Sequence, residues 1–397
     1  MDFFEIFFWI ALFIVFYTYL GYGIILYILV KIKELFKRPQ TRPVPEDKHL
    51  PHLTLFITAY NEEAVVEEKM RNCLALKYPQ DKLHIVWVTD GSNDHSVEML
   101  QKWPQVTVYH QPLRMGKTAA MNRGMRFIET PLVVFTDANT ELNPDCLLHI
   151  VQAFEDPKVG CVAGEKRIVN KAKANAAAGG EGMYWRYESA LKALDSRLYS
   201  TCGAAGELFA IRRPLYIEMD SDTLLDDFIL SLRIVMQGYT IAYRSDAYAM
   251  EGGSADMVEE EKRKVRIAAG GLQSIARLWP LFNPFKYGIF SFQYVSHRVL
   301  RWSITPIMLF ALLPINIVLL WSSSPIFYSV IFLLQALFYL MGSWGYYLSR
   351  KHIKNKFLFI PYYFLFMNVN VFRGFSYLMK RKKGAGASGA WEKSKRA

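Results

Sequence analysis

Among the 397 residues there are four cysteines, Cys73, Cys146, Cys161 and Cys202, and none stands in C-x-x-C spacing. That scatter argues against a zinc ribbon or a disulfide scaffold and fits a reducing compartment for the polar part of the chain. Charge is missing over long stretches: no charged residue lies between Ile6 and Val30, or between Ser303 and Ser349. With 52% apolar and 21% charged residues overall, the chain is neither disordered nor purely soluble, and its charges are segregated from its lipid-like runs. The second glycine of a P-loop is absent from Arg114-Met115-Gly116-Lys117, so that phosphate cradle is excluded. No segment has the character of a regulatory module such as a cyclic-dinucleotide-binding domain.

The charge-free runs are long enough to matter. At ~1.5 Å per residue, Ile6 to Val30 exceeds the ~30 Å of hydrocarbon that a spanning helix must cross. It starts with Asp2 and Glu5 and is followed by Lys31, Lys33, Lys37 and Arg38, which distinguishes it from a signal peptide and puts its carboxyl end on the cytoplasmic side. Ser303 to Ser349 is broken at Trp321-Ser-Ser-Ser-Pro325, which predicts a hairpin of two spans returning to Arg350, Lys351, Lys354 and Lys356. A third apolar stretch, Phe357 to Met379, contains Asn368, Asn370 and Arg373. Its length favours a crossing, whereas the basic residues that follow favour both flanks inside, and the two stay open here. Between Lys262 and Trp302, arginines and lysines mixed with Leu, Ile, Phe and Trp fit amphipathic helices at the headgroups or an ordinary helical face.

From Leu50 to about Gln273 short apolar runs alternate with helical stretches. Leu53–Thr58, His84–Thr89, Val106–His110 and Leu132–Thr136 are expected strands, with helices over Glu62–Leu76 and Thr118–Ile128. This predicts a parallel α/β sheet, in which ligands gather beyond the carboxyl ends of the strands. Those ends are Tyr60-Asn61-Glu62-Glu63, Asp90-Gly91-Ser92-Asn93-Asp94 and Asp137-Ala138-Asn139. Each alone reads as helix capping. Three acidic ends on one edge of a protein with net charge +11 point to a divalent cation, Mg²⁺ or Mn²⁺, with a phosphorylated ligand.

Three further segments carry chemistry. Lys117 precedes a helix start suited to phosphate, with a solvated helix terminus as the plain alternative. Asp226-Asp227 opens a helical repeat that ends at Gly238; the pair is either a dipole partner or the source of a general base. Lys262 to Arg266 is a cationic run of the kind usually found on a solvated face or at lipid headgroups. Nucleic acid is not an expected partner, because much of the excess charge sits at membrane edges: Lys380 to Ala397 holds seven basic residues against Glu392.

Taken in order, TAYNEE, VTDGSND, RMGKTAAMNRG, FTDANT, GAAGELFAIRR, LLDDFILSLRIVMQGY, KRKVRIAAG and the closing WEKSKR resemble the membrane-integrated family-two glycosyltransferases. That group includes cellulose, chitin, hyaluronan and poly-N-acetylglucosamine synthases. The resemblance implies an α/β GT-A (Rossmann-like) cytosolic catalytic domain with flanking transmembrane helices and interfacial amphipathic helices. It implies divisions at 1–49 (membrane helix and basic linker), 50–273 (GT-A domain), 274–302 (interfacial region), 303–379 (hairpin and third apolar segment) and 380–397 (basic tail).

By the same resemblance Tyr60, Glu62 and Asp90 correspond to nucleotide-binding positions and Lys117 to a nucleotide or sugar contact. Asp137 and Asn139 correspond to the metal-binding DxD, Asp227 with Asp226 to the catalytic acidic pair, and Arg263 and Arg266 to the cations of QxxRW. Asn139 replaces the second acid of DxD, and Ile267 the tryptophan of QxxRW. Glu207 falls where the family has an acceptor-binding loop. The expected activity is inverting transfer from a nucleotide diphosphate sugar, most often a UDP-sugar, to a growing β-linked polysaccharide at the plasma (inner) membrane. Transfer of one sugar to a lipid acceptor, polyprenyl phosphate or a glycolipid, shares every donor-side residue. An inactive scaffold of the same fold is the alternative from another class.

Overall fold

The apolar runs after Leu50 are buried on both faces, as strands are when helices cover them above and below. In a computed structural model, which describes residues 3–37, 43, 46–169, 176–254, 256–322, 326–351, 353 and 355–382, they form β1 (Leu53–Ala59), β2 (Leu83–Asp90), β3 (Val106–Gln111) and β4 (Leu132–Asp137). These four pair in parallel in the order β3-β2-β1-β4. The sheet continues through β5 (Glu141–Leu142), β6 (Val159–Val169), β7 (Leu208–Arg212) and β8 (Thr240–Gly252), giving β3-β2-β1-β4-β7-β6-β8-β5. It is therefore mixed and not parallel throughout, since β7 runs antiparallel to both β4 and β6. The cause lies in the chain after β6. Helix Ala176–Leu198 packs between β6 and β8 on one side and the first apolar helix on the other, and the chain after it returns as β7 antiparallel to β4.

Two apolar layers hold the sheet. Met121 and Met125 of helix Lys117–Met125 and Ile229 and Leu232 of helix Asp226–Met236 cover one face, against Phe56, Val88 and Phe135. Val66 and Met70 of helix Glu63–Leu74 and Leu147 and Ile150 of helix Cys146–Phe154 cover the other, against Leu55, Ile57 and Trp87. The four cysteines are buried and unbridged.

Among the described residues, three helical stretches are long and apolar enough to cross a membrane: Phe3–Phe36, Ile304–Trp321 and Ile326–Arg350. The first contains a π-helical turn at Tyr17–Gly21, and its polar groups are used inside the protein. Tyr17 Oη lies 2.7 Å from Ser296 Oγ, Thr18 Oγ1 2.8 Å from Thr305 Oγ1, and Tyr19 donates to Asn368 Oδ1 at 2.6 Å. Helix Lys356–Lys382, which carries the third apolar stretch, is not among those three. It packs along helix Met257–Arg277 so closely that a Cβ on Gly374 would stand 2.7 Å from the Ala268 methyl, and Tyr363 donates to Glu260. The residues at 323–325, Lys354 and the tail from Lys383 onward lie outside the described residues.

Several cations of the 262–302 stretch do not face headgroups. Arg298 and Arg301 are buried on Glu188 at 2.5 and 3.0 Å, and Arg263 and Lys264 are buried on Glu260. Lys262 and Lys286 do face outward, as do Trp279 and Phe285. The physical reason is pairing: a buried carboxylate draws the cation in, and together they cost less than either alone. At the same junction His297 Nδ1 sits 2.5 Å from Asp195 Oδ2, and Tyr22 of the first membrane helix donates to Asp195. Membrane helix, sheet domain and the segment before the hairpin are thus joined by buried ions. Replacing Glu188 by Ala strands Arg298, Arg301 and His297 around an empty position. The expected loss is about 3–5 kcal/mol, read as a lowered melting temperature of the detergent-purified chain.

Candidate active site

Strand register brings the three acidic ends together. Thr58 of β1 pairs with Asp137 and Ala59 with Thr89, so Asp137 and Asp90 close the strands on either side of β1. At ~4.8 Å per strand their backbones are roughly 10 Å apart. The turn after β4 is propped from below by Lys69 of helix Glu63–Leu74. Its buried ammonium donates to Thr140 O at 2.7 Å and to the hydroxyls of Thr136 and Thr140 at 3.2 Å.

Much of the polarity after β1 and β2 knits two loops into one. Asn61, in the left-handed region at φ 53°, exchanges side-chain and backbone bonds with Asn93, its N–H donates to Ser92 Oγ, and the Glu62 N–H donates to Ser96 Oγ. Asp90 accepts the N–H groups of Met115 and Gly116 at 3.0 and 2.6 Å, fixing the loop that leads to Lys117. Gly91, at φ +70°, lets that loop approach: a Cβ there would stand 2.7 Å from the Arg114 nitrogen. The Arg114 guanidinium lies 3.6 Å over the Tyr60 ring. Tyr60, Glu62 and Asp90 therefore share one loop cluster at the rim.

The deeper group centres on Lys117. Its Nζ donates to Asp137 Oδ1 at 2.9 Å and lies 3.6 Å from Asp226 Oδ2. Asp227 faces the same spot, because a Cβ built on Gly206 would be 3.4 Å from Lys117 Nζ, 3.5 Å from Asp227 Oδ2 and 3.9 Å from Asp137 Oδ2. A small cavity here is lined by Lys117, Asp137, Gly206 and Asp226 over an apolar floor of Phe56, Met121, Phe135 and Phe209. Burial alone would weaken the Lys117 ammonium, but Asp137, Asp226 and Asp227 outweigh it and hold the pKa above the usual lysine range. For Asp227, burial and then the neighbouring Asp226 charge push the carboxyl up to about 7, against the pull of Lys117. Asp226 Oδ2 is buried without a hydrogen bond.

Beside this cluster runs a second one. Lys166 is buried between Glu207 and Glu251 at 2.5 and 2.6 Å. Burial opposes ionisation of Glu207, yet the Lys166 ammonium overrides it and keeps the carboxyl well below its ordinary range. Asn139 joins here, donating to Glu251 Oε1 at 3.2 Å. Arg263 forks onto Glu260, and its charge reaches Glu207. Arg266 is half-buried one turn further along the same helix. The structure therefore gathers Lys117, Asp137, Asp226 and Asp227 most tightly, sets Asn139 and Arg263 in the adjoining cluster, and places Tyr60, Glu62 and Asp90 at the rim. Lys166, Glu251 and Lys192 carry no motif and are not found from sequence. The one available signal is the i, i+4, i+7 spacing of Glu188, Lys192 and Asp195 on a helix.

Residues 54–219 match the family described as Glycosyl transferase family 2. The match spans less than half of the chain. The poly-beta-1,6-N-acetyl-D-glucosamine synthase of Staphylococcus aureus (strain COL) is 28% identical over 240 residues, covering 57% of this chain and 56% of that protein. The beta-monoglucosyldiacylglycerol synthase of Trichormus variabilis is 26% identical over 264 residues, covering 62% and 54%. The chain thus aligns with little more than half the length of these curated relatives. Among solved structures, the mannosyltransferase PcManGT from Pyrobaculum calidifontis, in complex with GDP-Man and Mn2+, superposes with a TM-score of 0.71 at 20% identity, over 95% of this chain and 99% of that one. That likeness shows the GT-A fold. The family match ends at Met219, so the matched region holds Asp90, Lys117 and Asp137, while Asp226 and Asp227 follow just beyond it on a helix of the same core.

A carboxyl raised to about 7 has its deprotonated, proton-accepting form only above that pH. Asp227 should therefore take up a proton between pH 8 and pH 6, and Asp227→Asn should remove that step; an infrared carboxyl difference spectrum of parent against variant across the range checks it.

Proposed function

We propose that this chain is an inverting membrane glycosyltransferase that moves a sugar from a nucleotide diphosphate sugar, UDP-linked, onto a hydroxyl of a growing β-linked saccharide. The observation that carries this reading is the meeting of Lys117, Asp137 and Asp227 around Gly206 at the carboxyl edge of a sheet that the family 2 glycosyltransferase match covers in large part. The rim residues Tyr60, Glu62 and Asp90 orient the nucleoside, and Lys117, Arg263 and Arg266 balance the diphosphate. Asp227 takes the proton of the acceptor hydroxyl, with its pKa lifted toward the working pH. Asp226 supplies the neighbouring charge that helps to lift it. Glu207 is tied to the Lys166 ammonium, which lowers its nucleophilicity, and with Asp227 as the one base a single displacement with inversion is the fitting course.

Mg²⁺ or Mn²⁺ fits the donor set at the end of β4. Asp137 and Asn139 are its holders, and Asp226 Oδ2 is a buried oxygen that no hydrogen bond satisfies. Bound there, the cation supplies positive charge where the leaving diphosphate gains negative charge. The cations that follow the membrane helices, Lys31, Lys33, Arg350 and Lys351, support a catalytic domain on the cytoplasmic face of the plasma membrane. A second reading, transfer of a single sugar to a lipid hydroxyl, is favoured by Ile267 standing where the polymer-forming members carry tryptophan. The glycolipid synthase relative supports it as well.

Asp227→Asn keeps the shape and removes the base. Turnover should fall by about 10²–10⁴-fold while UDP affinity stays near that of the parent. A donor panel of UDP-glucose, UDP-N-acetylglucosamine and GDP-mannose with product sizing separates polymer from a one-sugar lipid. Neither transfer nor donor hydrolysis with any of them would leave only a scaffold.

A further inference from the structure

Helix Ala176–Leu198 carries Glu188, Lys192 and Asp195 on one face, all buried. The outer two are engaged by charged or polar partners. Glu188 holds Arg298 and Arg301, and Asp195 accepts from Tyr22 and from Gln293 Nε2 at 3.0 Å and sits beside His297. Lys192, between them, is 4% exposed. Among the described residues its ammonium makes no hydrogen bond or ion pair; it lies 5.6 Å from the Trp185 ring, whose centre is 5.3 Å from Lys166 Nζ. The groups whose charge it feels are Arg298 and the carboxylates of Glu188, Glu207 and Asp227. Its stem is buried and its ammonium has no protein acceptor among the described residues, an arrangement that an oxygen of a ligand completes.

We propose that Lys192 binds the acceptor: its ammonium donates to a hydroxyl or carbonyl oxygen of the acceptor sugar or glycolipid headgroup, holding the neighbouring hydroxyl at Asp227. The inference rests on the glycosyltransferase reading above and narrows its acceptor to a neutral, oxygen-rich group. A phosphate acceptor such as polyprenyl phosphate attacks through an oxygen that is already ionised and gives Asp227 no proton to take, whereas a sugar or glycolipid hydroxyl does. The Trp185 indole and the Lys166–Glu207 pair lie beside the same point, an aromatic face next to polar groups, which is how sites fix the orientation of a hydroxylated ring. Burial, then the Arg298 charge, lowers the pKa of the Lys192 ammonium, so the group gains from an accepting oxygen.

The test uses the full chain in nanodiscs with Lys192→Met and Lys192→Gln. Acceptor probes are glucose and N-acetylglucosamine oligosaccharides, diacylglycerol in phosphatidylcholine vesicles, and polyprenyl phosphate in the same vesicles. For Lys192→Met, transfer to the neutral acceptor should fall at least ~10-fold through its KM. UDP affinity and donor hydrolysis should hold, and the melting temperature should not drop, since an unmatched buried charge has been removed. Lys192→Gln, which still donates an N–H, should recover part of the loss. An unchanged acceptor KM in Lys192→Met, a joint loss of UDP binding and melting temperature, or a parent chain that glycosylates only polyprenyl phosphate overturns the proposal. A parent chain that neither binds UDP nor hydrolyses any donor instead removes the glycosyltransferase reading itself.

Discussion

Three carboxylates, Asp137, Asp226 and Asp227, are held around one ammonium, and the surrounding fold is organised to make that arrangement tolerable. Like charges buried together repel in a medium that screens them poorly, and each has lost hydration. Lys117 offsets part of this through its contacts with Asp137 and Asp226. The helix starting at Asp226 contributes the positive end of its dipole to both acids of its first turn. What remains uncompensated appears as the elevated proton affinity of Asp227. A site assembled this way is primed for a cationic or proton-exchanging ligand, and the same residual strain gives a carboxylate its basicity near neutral pH.

Positions in the site are set by backbone more than by side-chain packing. Asp137 is fixed by the register of β1 against β4, and the segment before β7 is hung at three points. Arg298 donates to the Cys202 carbonyl at 3.0 Å, the Ala204 N–H donates to Ser231 Oγ at 3.1 Å, and Thr136 donates to the Glu207 carbonyl at 2.9 Å. The first of these suspends the loop from the buried ion cluster that also grips the first membrane helix through Tyr22 and Asp195. Glu188 therefore stands one salt bridge from the membrane-facing elements and one more contact from the loop carrying Gly206. The spacing between the apolar helices and the Gly206 loop is thus set by buried charges.

The parallel half of the sheet was legible because its strands are short apolar runs and its helices have local signals; β1 to β4 fall within a residue or two of the expected spans. The acids at the strand ends were legible for the same reason, since a parallel strand delivers its last residue to a predictable edge. The second half was not. β6 and β8 carry Lys166, Arg167 and Arg244 within strands, and charged residues read as surface until a buried partner such as Glu251 is known. Arg298 and Arg301 mislead in the same way: their apolar neighbours fit a headgroup helix, while Glu188, more than a hundred positions away, decides their place. Long-range ion pairs leave no periodicity for a sequence to show.

The amide at Asn139 illustrates how such pairs constrain a motif. Glu251 already shares Lys166 with Glu207, so one ammonium serves two buried carboxylates. The Asn139 amide adds a second donor to Glu251 at 3.2 Å. An aspartate in its place would bring a third carboxylate to that pair and remove this donor, setting the acids against one another at contact distance. Asparagine avoids that repulsion, because its N–H donates to Glu251. The amide at this position thus answers to the Lys166 cluster behind it. A return to aspartate becomes favourable only if Glu251 is neutralised at the same time.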